Sequence, residues 1–256
     1  MSGESTTRTA PRTGGTEPAG GGRLGERLSG VAMALGLVLF LGGFAWGAVV
    51  YRPYTVPTSS MAPTIDAGDR VLAQRVDGTE VRRGDVVVFR DKNWITDANV
   101  VKRVVAVGGD TVSCCTDGKL TVNGKKIDEP YLPAGSPAEI TNFPAITVPK
   151  GRLFLLGDER QGSLDSTAHL TDAAQGTVAR GAVSARVDSV VWPMDGMLER
   201  PTGFQTLGAL SRPGPLRTIE LMIVGGAVLV LGGGAYGSVA KRLGRGRNGP
   251  GPAGAR

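Results

Sequence analysis

The hydrophobic positions divide the chain into two long apolar runs with a middle made of short ones. Val31 to Val50 contains no charge, and neither does Leu221 to Ala240. Each run approaches the ~20 residues needed to cross a bilayer. The first is longer than the ~7–15 apolar residues of a cleavable signal and meets Tyr51-Arg52-Pro53 without a small-residue cleavage site, so it reads as an anchor. The second is rich in glycine (Gly225, Gly226, Gly232, Gly233, Gly234), which weakens a helix in water but lets helices approach closely in lipid. A buried core helix is the alternative there. Lys241-Arg242 directly after the run favours a second span.

Between the runs the pattern is that of strands. Val86 to Phe89, Val100 to Val107, Leu153 to Leu156 and Val183 to Trp192 are short β-branched or apolar stretches bounded by Gly, Asp and Pro. Asn123-Gly124, set between two short arms, signals a two-residue hairpin. Nothing from 52 to 200 sustains helical spacing. The expectation is a mainly β, antiparallel domain flanked by an N-terminal and a C-terminal transmembrane helix. Its divisions are a disordered cytoplasmic tail (1–28), a first span (29–50), an extracytoplasmic domain (51–200), a linker (201–218), a second span (219–240) and a basic cytoplasmic tail (241–256).

Charge changes this picture little. The net charge is +6 over 256 residues, but the basic residues gather beside the apolar runs: Arg8, Arg12, Arg23 and Arg27 before the first, Lys241, Arg242, Arg245, Arg247 and Arg256 after the second. That placement orients spans and puts both termini in the cytoplasm; it does not make a nucleic-acid surface. The 40 glycines and 16 prolines indicate many turns. Cys114-Cys115 fits no zinc or redox spacing; two thiols are the plainer reading and a vicinal disulfide the alternative. The stretch from Asp117 to Glu139 reads as a solvated lobe.

Three segments carry candidate chemistry. Thr58-Ser59-Ser60-Met61-Ala62-Pro63-Thr64 follows the first run; by itself it is a solvated turn. Lys102 lies in the apolar strand Val100 to Val107, on the face of Val100 and Val104. A lysine there either snorkels to water or, if buried, is pushed toward the neutral form that a base requires. Leu156-Gly157-Asp158-Glu159-Arg160-Gln161-Gly162-Ser163-Leu164-Asp165-Ser166 is the third. His169, the single histidine, is the conventional base, but no Gly-x-Ser-x-Gly elbow surrounds Ser60. Trp94 is either core or an aromatic edge for lipid headgroups.

In this order and behind an apolar anchor, the three segments resemble the active-site blocks of the bacterial type I signal peptidases, membrane serine proteases with a Ser–Lys dyad, in a form with an added C-terminal span. The resemblance covers roughly residues 45–192 and implies an antiparallel β catalytic domain of signal peptidase type. It implies Ser60 as nucleophile, with Ser59 one position early, Lys102 as general base, and the Thr58 hydroxyl with the Ser60 amide as oxyanion donors. Ser163 would hydrogen-bond the lysine amine, while Asp158, Asp165 and Arg160 would support the site through charge pairing. Glu159 stands where the family has Asn, Gly108 where proline is common, and Thr167 where it has Arg, leaving Arg160 or Arg180 to pair with Asp165. No metal or other cofactor is implied. The implied partners are exported preproteins with Ala-x-Ala-type signal peptides, the lipid bilayer and proximity to the export channel, and no nucleic acid. The alternatives are a specialised Ser–Lys protease or an inactive paralogue serving as a membrane-tethered interaction module.

Overall fold

The computed structural model describes residues 21–133 and 142–246; most of the expected N-terminal tail and residues 247–256 lie outside them. The chain forms two compact units, one holding the described residues up to Phe44 and from Glu220, the other Ala45–Ile219.

The first unit is made of two helices, α1 (Gly21–Val50) and α2 (Leu216–Gly246). The first starts within the stretch expected to be a tail, because Leu24 and Leu28 continue the apolar spacing of Val31 and Leu35. The most apolar 18-residue windows within Gly25–Val50 and Leu216–Val239 have mean hydropathies of 2.1 and 1.8, which makes both candidate membrane spans. The helices run antiparallel and meet through glycine. A side chain on Gly226 would collide with the backbone of Gly36 and Phe40, and one on Gly36 with Leu229 and Val230. Ser29 Oγ donates to the Gly233 carbonyl at 2.7 Å. Elsewhere Leu35, Val38, Leu41, Val224, Val228 and Leu231 are exposed, surface that an apolar solvent would cover.

The second unit is antiparallel β throughout. Its strands are β1 (Tyr51–Thr55), β2 (Arg70–Arg75), β3 (Val86–Phe89), β4 (Val100–Val107), β5 (Thr111–Thr116), β6 (Lys119–Val122), β7 (Lys125–Lys126), β8 (Phe143–Thr147), β9 (Arg152–Leu156), β10 (Val178–Ala179), β11 (Val183–Trp192) and β12 (Gly196–Met197). The larger sheet has the order β1-β2-β11-β3-β4-β9-β10 with β12 on β11, and the smaller has β7-β6-β5-β8. In β2 and β5 buried and open positions alternate, the period of a strand with one face in the core, whereas β3 is buried throughout. Asn123 and Gly124 both have positive φ (52° and 74°), the turn their pairing predicts. Cys114 and Cys115 in β5 are joined as a disulfide, so the thiol reading is replaced by its alternative.

One buried network ties the chain after β12 back to the sheet. Asp188 of β11 accepts from Tyr51 Oη (2.9 Å), the Gly214 amide (3.2 Å) and Arg200, while Ser211 Oγ donates to Asp85 at 2.6 Å. Both carboxylates are fully buried, and Phe204, in the 3-10 turn Thr202–Leu207, fills the core beside Val105 and Phe154. The segment expected to be a linker is therefore packed through much of its length.

Candidate active site

Ser60 is held by a closed loop. The Val56 amide donates to Asp69 O and the Gly68 amide to Val56 O (2.9 and 2.8 Å), which pins the loop's ends together. Gly68 turns the chain with φ +96°, a region that favours glycine. Met61 and Ile65 pair as an isolated bridge and are wholly buried, so the residue after the serine is a plug in the core. The Ser60 carbonyl accepts from the Glu159 amide at 3.2 Å, joining the loop to the end of β9. Thr58 Oγ1 lies 3.3 Å from Ser60 Oγ.

Lys102 comes from β4, paired with Val87 of β3. Only 3 % of it is exposed, and its Nζ donates to Ser60 Oγ at 2.7 Å. Burial holds the amine down to about 8, against the opposing pull of the Asp165 and Asp158 carboxylates. An amine in that range has a substantial neutral fraction at mildly alkaline pH and can accept a hydroxyl proton.

Arg103, the next residue, has its charge answered in full. It pairs with Leu156 across the ladder and forms a two-pronged ion pair with Asp158, Nε to Oδ1 at 2.8 Å and Nη2 to Oδ2 at 2.6 Å, with Thr64 Oγ1 also donating to Asp158 at 2.5 Å. Its guanidinium lies 3.8 Å above the Tyr131 ring. Arg160 donates to the Gly157 carbonyl at 3.0 Å and forks onto Glu129 at 3.1 and 2.5 Å. Sequence reasoning missed Arg103, Glu129, Tyr131 and the role of Gly157. Glu129 and Tyr131 fall in a stretch read as a solvated lobe, but its Leu120, Val122 and Ile127 are buried in the core, and those apolar residues were the available signal.

Two expected contacts differ. Asp165, fully buried, accepts from the Gly157 amide (2.9 Å), the Thr167 amide (3.0 Å) and Thr167 Oγ1 (2.7 Å). No arginine pairs with it among the described residues: Arg160 is taken by Glu129, and Arg180 donates to the carbonyls of Gly78 and Val81. Thr167, at the family's arginine position, caps the carboxylate with a neutral hydroxyl instead. Ser163 Oγ is buried and makes no hydrogen bond among the described residues, because the Lys102 amine is directed at Ser60. The serine packs against Gly157, where a Cβ would overlap both Ser163 and the Ser60 carbonyl.

His169 is engaged elsewhere. It stacks on Trp94 with ring centroids 4.6 Å apart, and its Nδ1 is 2.8 Å from Asp172. Trp94 in turn meets Phe89 edge-on, so it caps a core cluster. Tyr54, Val56, Pro57, Ile95, Val101 and Leu164 help to line a groove of about 470 Å³ that ends on Ser60 and Lys102. Among the described residues no cluster of His, Cys, Asp and Glu is arranged to hold a metal.

The antiparallel β domain thus sets a buried lysine amine on a loop serine. Residues 27–192 match the family described as Signal peptidase, peptidase S26, and the chain belongs to that family. Among its relatives is the Signal peptidase I of Mycobacterium tuberculosis H37Rv, 34% identical over 193 residues that cover 56% of this chain and 66% of that protein. The Signal peptidase I of Bacillus amyloliquefaciens is 31% identical over 176 residues, 65% and 84% of the two chains. This chain thus spans about two thirds of the length of its mycobacterial relative. A crystal structure of a signal peptidase I from Enterococcus faecalis V583 is 26% identical, covering 46% of this chain and 96% of that one, with a TM-score of 0.33.

Proposed function

We propose that this protein is a membrane-bound serine endopeptidase that removes N-terminal signal peptides from exported preproteins, with Ser60 as nucleophile and Lys102 as general base. The observation that carries the reading is the 2.7 Å hydrogen bond from a buried lysine amine to Ser60 Oγ. Neutral Lys102 takes the hydroxyl proton as Ser60 Oγ attacks the scissile carbonyl carbon. The Ser60 amide and the Thr58 hydroxyl stabilise the oxyanion, each such donor contributing about 3–4 kcal/mol. The resulting ammonium protonates the departing amine as the C–N bond breaks, leaving an acyl-Ser60. Lys102, neutral again, takes a proton from water, whose oxygen attacks the ester carbon; as the C–Oγ bond breaks, the ammonium returns that proton to Ser60 Oγ and the signal peptide leaves with its new carboxyl group.

The apolar groove suits an extended segment with small side chains near the cut, which points to Ala-x-Ala-type substrates. Two apolar helices flanked by basic residues support a two-span protein with both termini in the cytoplasm, the catalytic domain outside, and a position near the export channel. The test is cleavage of a preprotein bearing an Ala-x-Ala site by the full chain in detergent. Wild type is expected to cut at that site, and Ser60→Ala and Lys102→Ala to lose activity. Activity persisting in Lys102→Ala would remove the lysine from the reaction.

A further inference from the structure

A second concavity, of about 310 Å³, lies away from the Ser60 groove and collects arginines: Arg82, Arg83 and Arg180 line it together with Thr79 and the Leu207–Ala209 backbone. Two 3-10 turns build it, Gly78–Glu80 and Arg180–Ala182. They touch where Gly78 has no side chain, since a Cβ there would overlap the Arg180 carbonyl. Arg180 Nη1 donates to the carbonyls of Gly78 (2.5 Å) and Val81 (3.0 Å), so neutral acceptors fix its guanidinium, and among the described residues no carboxylate pairs with it. Arg83 is answered by Asp110, through Nε at 2.7 Å, and also donates to Leu207 O at 3.1 Å. Arg82 is exposed and has no ion-pair partner among the described residues. The carboxylates of this element point to its cap and stay charged: Asp77 accepts from the Thr79 amide and Glu80 from the Asp77 amide, and neither forms an ion pair with these arginines. Three arginines line one concavity, and among the described residues only Arg83 is ion-paired. Burial and the repulsion of Arg83 and Arg82 weaken the hold of Arg180 on its proton.

Like charges gathered in a concave wall focus a positive field, and a fixed guanidinium fork matches the oxygens of a phosphate better than those of most other anions. We infer that this concavity binds a phosphate-type oxyanion, supplied either by the headgroup of an anionic lipid or by free phosphate. Arg180 and Arg82 provide the unmatched charge and Thr79 a hydroxyl. The site is independent of the Ser60–Lys102 reading.

The full chain in neutral detergent would be titrated calorimetrically with inorganic phosphate at constant ionic strength. In parallel its melting temperature would be compared in phosphatidylcholine nanodiscs with and without phosphatidylglycerol. Arg82→Glu and Arg180→Gln are the variants; Arg82 is exposed, so its exchange leaves the fold intact even if Arg180→Gln does not. Saturable phosphate binding, weakened about 10-fold or more in Arg82→Glu, supports the site with free phosphate as ligand. No phosphate binding, but a phosphatidylglycerol-dependent rise in melting temperature that Arg82→Glu lacks, supports it with a lipid headgroup. Responses identical in wild type and Arg82→Glu, or absent in both arms, overturn it.

Discussion

Lys102 and Arg103 are consecutive on β4, both all but buried, yet one meets a hydroxyl and the other a carboxylate: Lys102 Nζ lies 2.7 Å from Ser60 Oγ, and Arg103 Nη2 lies 2.6 Å from Asp158 Oδ2. The strand's alternation gives them different neighbours, and the neighbours decide their charge. A guanidinium cannot be neutralised in a protein, so a buried one requires an anion. A lysine without a direct ion pair can lose its proton.

The first prediction concerns pH. With the Lys102 amine held down to about 8, the neutral base accumulates as pH rises through that value. The pH profile of kcat/KM should climb about tenfold per unit below 8 and level off above it. The stability linkage has the same sign. The unfolded lysine titrates near ~10.4 and binds the proton more tightly, so stability rises with pH between about 8 and 10.4, and the cost, on the order of 3 kcal/mol, is fully present below 8. Lys102→Met should thus be inactive but better able to withstand denaturant at pH 7 than wild type. A flat profile between pH 6 and 9 would refute this account.

The ion pair next to it should behave in the opposite way. Arg103→Met strands the Asp158 carboxylate in the core and should cost about 3–5 kcal/mol. Arg103→Met with Asp158→Leu removes both charges and should recover much of that loss in denaturant titrations. Equal destabilisation by the single and double variants would show that packing, not charge, is what Arg103 supplies.

Gly157→Ala tests the contact between β9 and the Ser60 loop. A Cβ there overlaps Ser163 and the Ser60 carbonyl, so the serine must shift relative to Lys102. Displacement of order 1 Å at a reacting atom costs about 10²-fold. Activity should fall by about that factor, while circular dichroism reports a folded domain.

Asp165 offers an independent handle on the lysine. Its charge stabilises the ammonium form of Lys102, so Asp165→Asn should move the acid limb of the rate profile to lower pH. Thr167→Val removes only a neutral hydroxyl from that carboxylate. It should cost about 1–3 kcal/mol of stability and move the limb much less. If both variants shift it equally, the effect comes from geometry rather than charge.

Local signals carried much of this reading. β-branched or apolar runs marked β3, β4, β9 and β11, and Asn123-Gly124 announced its turn, because strand and hairpin preferences are written within a few residues. Ser60 and Lys102 were singled out by the family resemblance of their segments, and the structure brings the two side chains together. β1 was hidden by Pro53 and Arg52, tolerable on an edge strand. Glu129 could not be matched with Arg160 from sequence, since that contact depends on long-range pairing. Thr167 in place of arginine predicted a different cation for Asp165, whereas a hydroxyl and two amides satisfied the carboxylate locally.

The network that joins Tyr51, Asp188 and Gly214 bears on how the protein can be trimmed. The family match stops at residue 192, an inviting place to cut a soluble fragment for crystallisation or inhibitor screening. Such a cut would remove Arg200, Ser211 and the Gly214 amide from Asp85 and Asp188, both fully buried. Asp85 would keep the Arg82 amide, and Asp188 would keep Tyr51 and Arg186, but each would lose its other buried partners and the sheet around them would be weakened. A workable fragment therefore keeps the chain through Gly214 and gives up only the helix that follows.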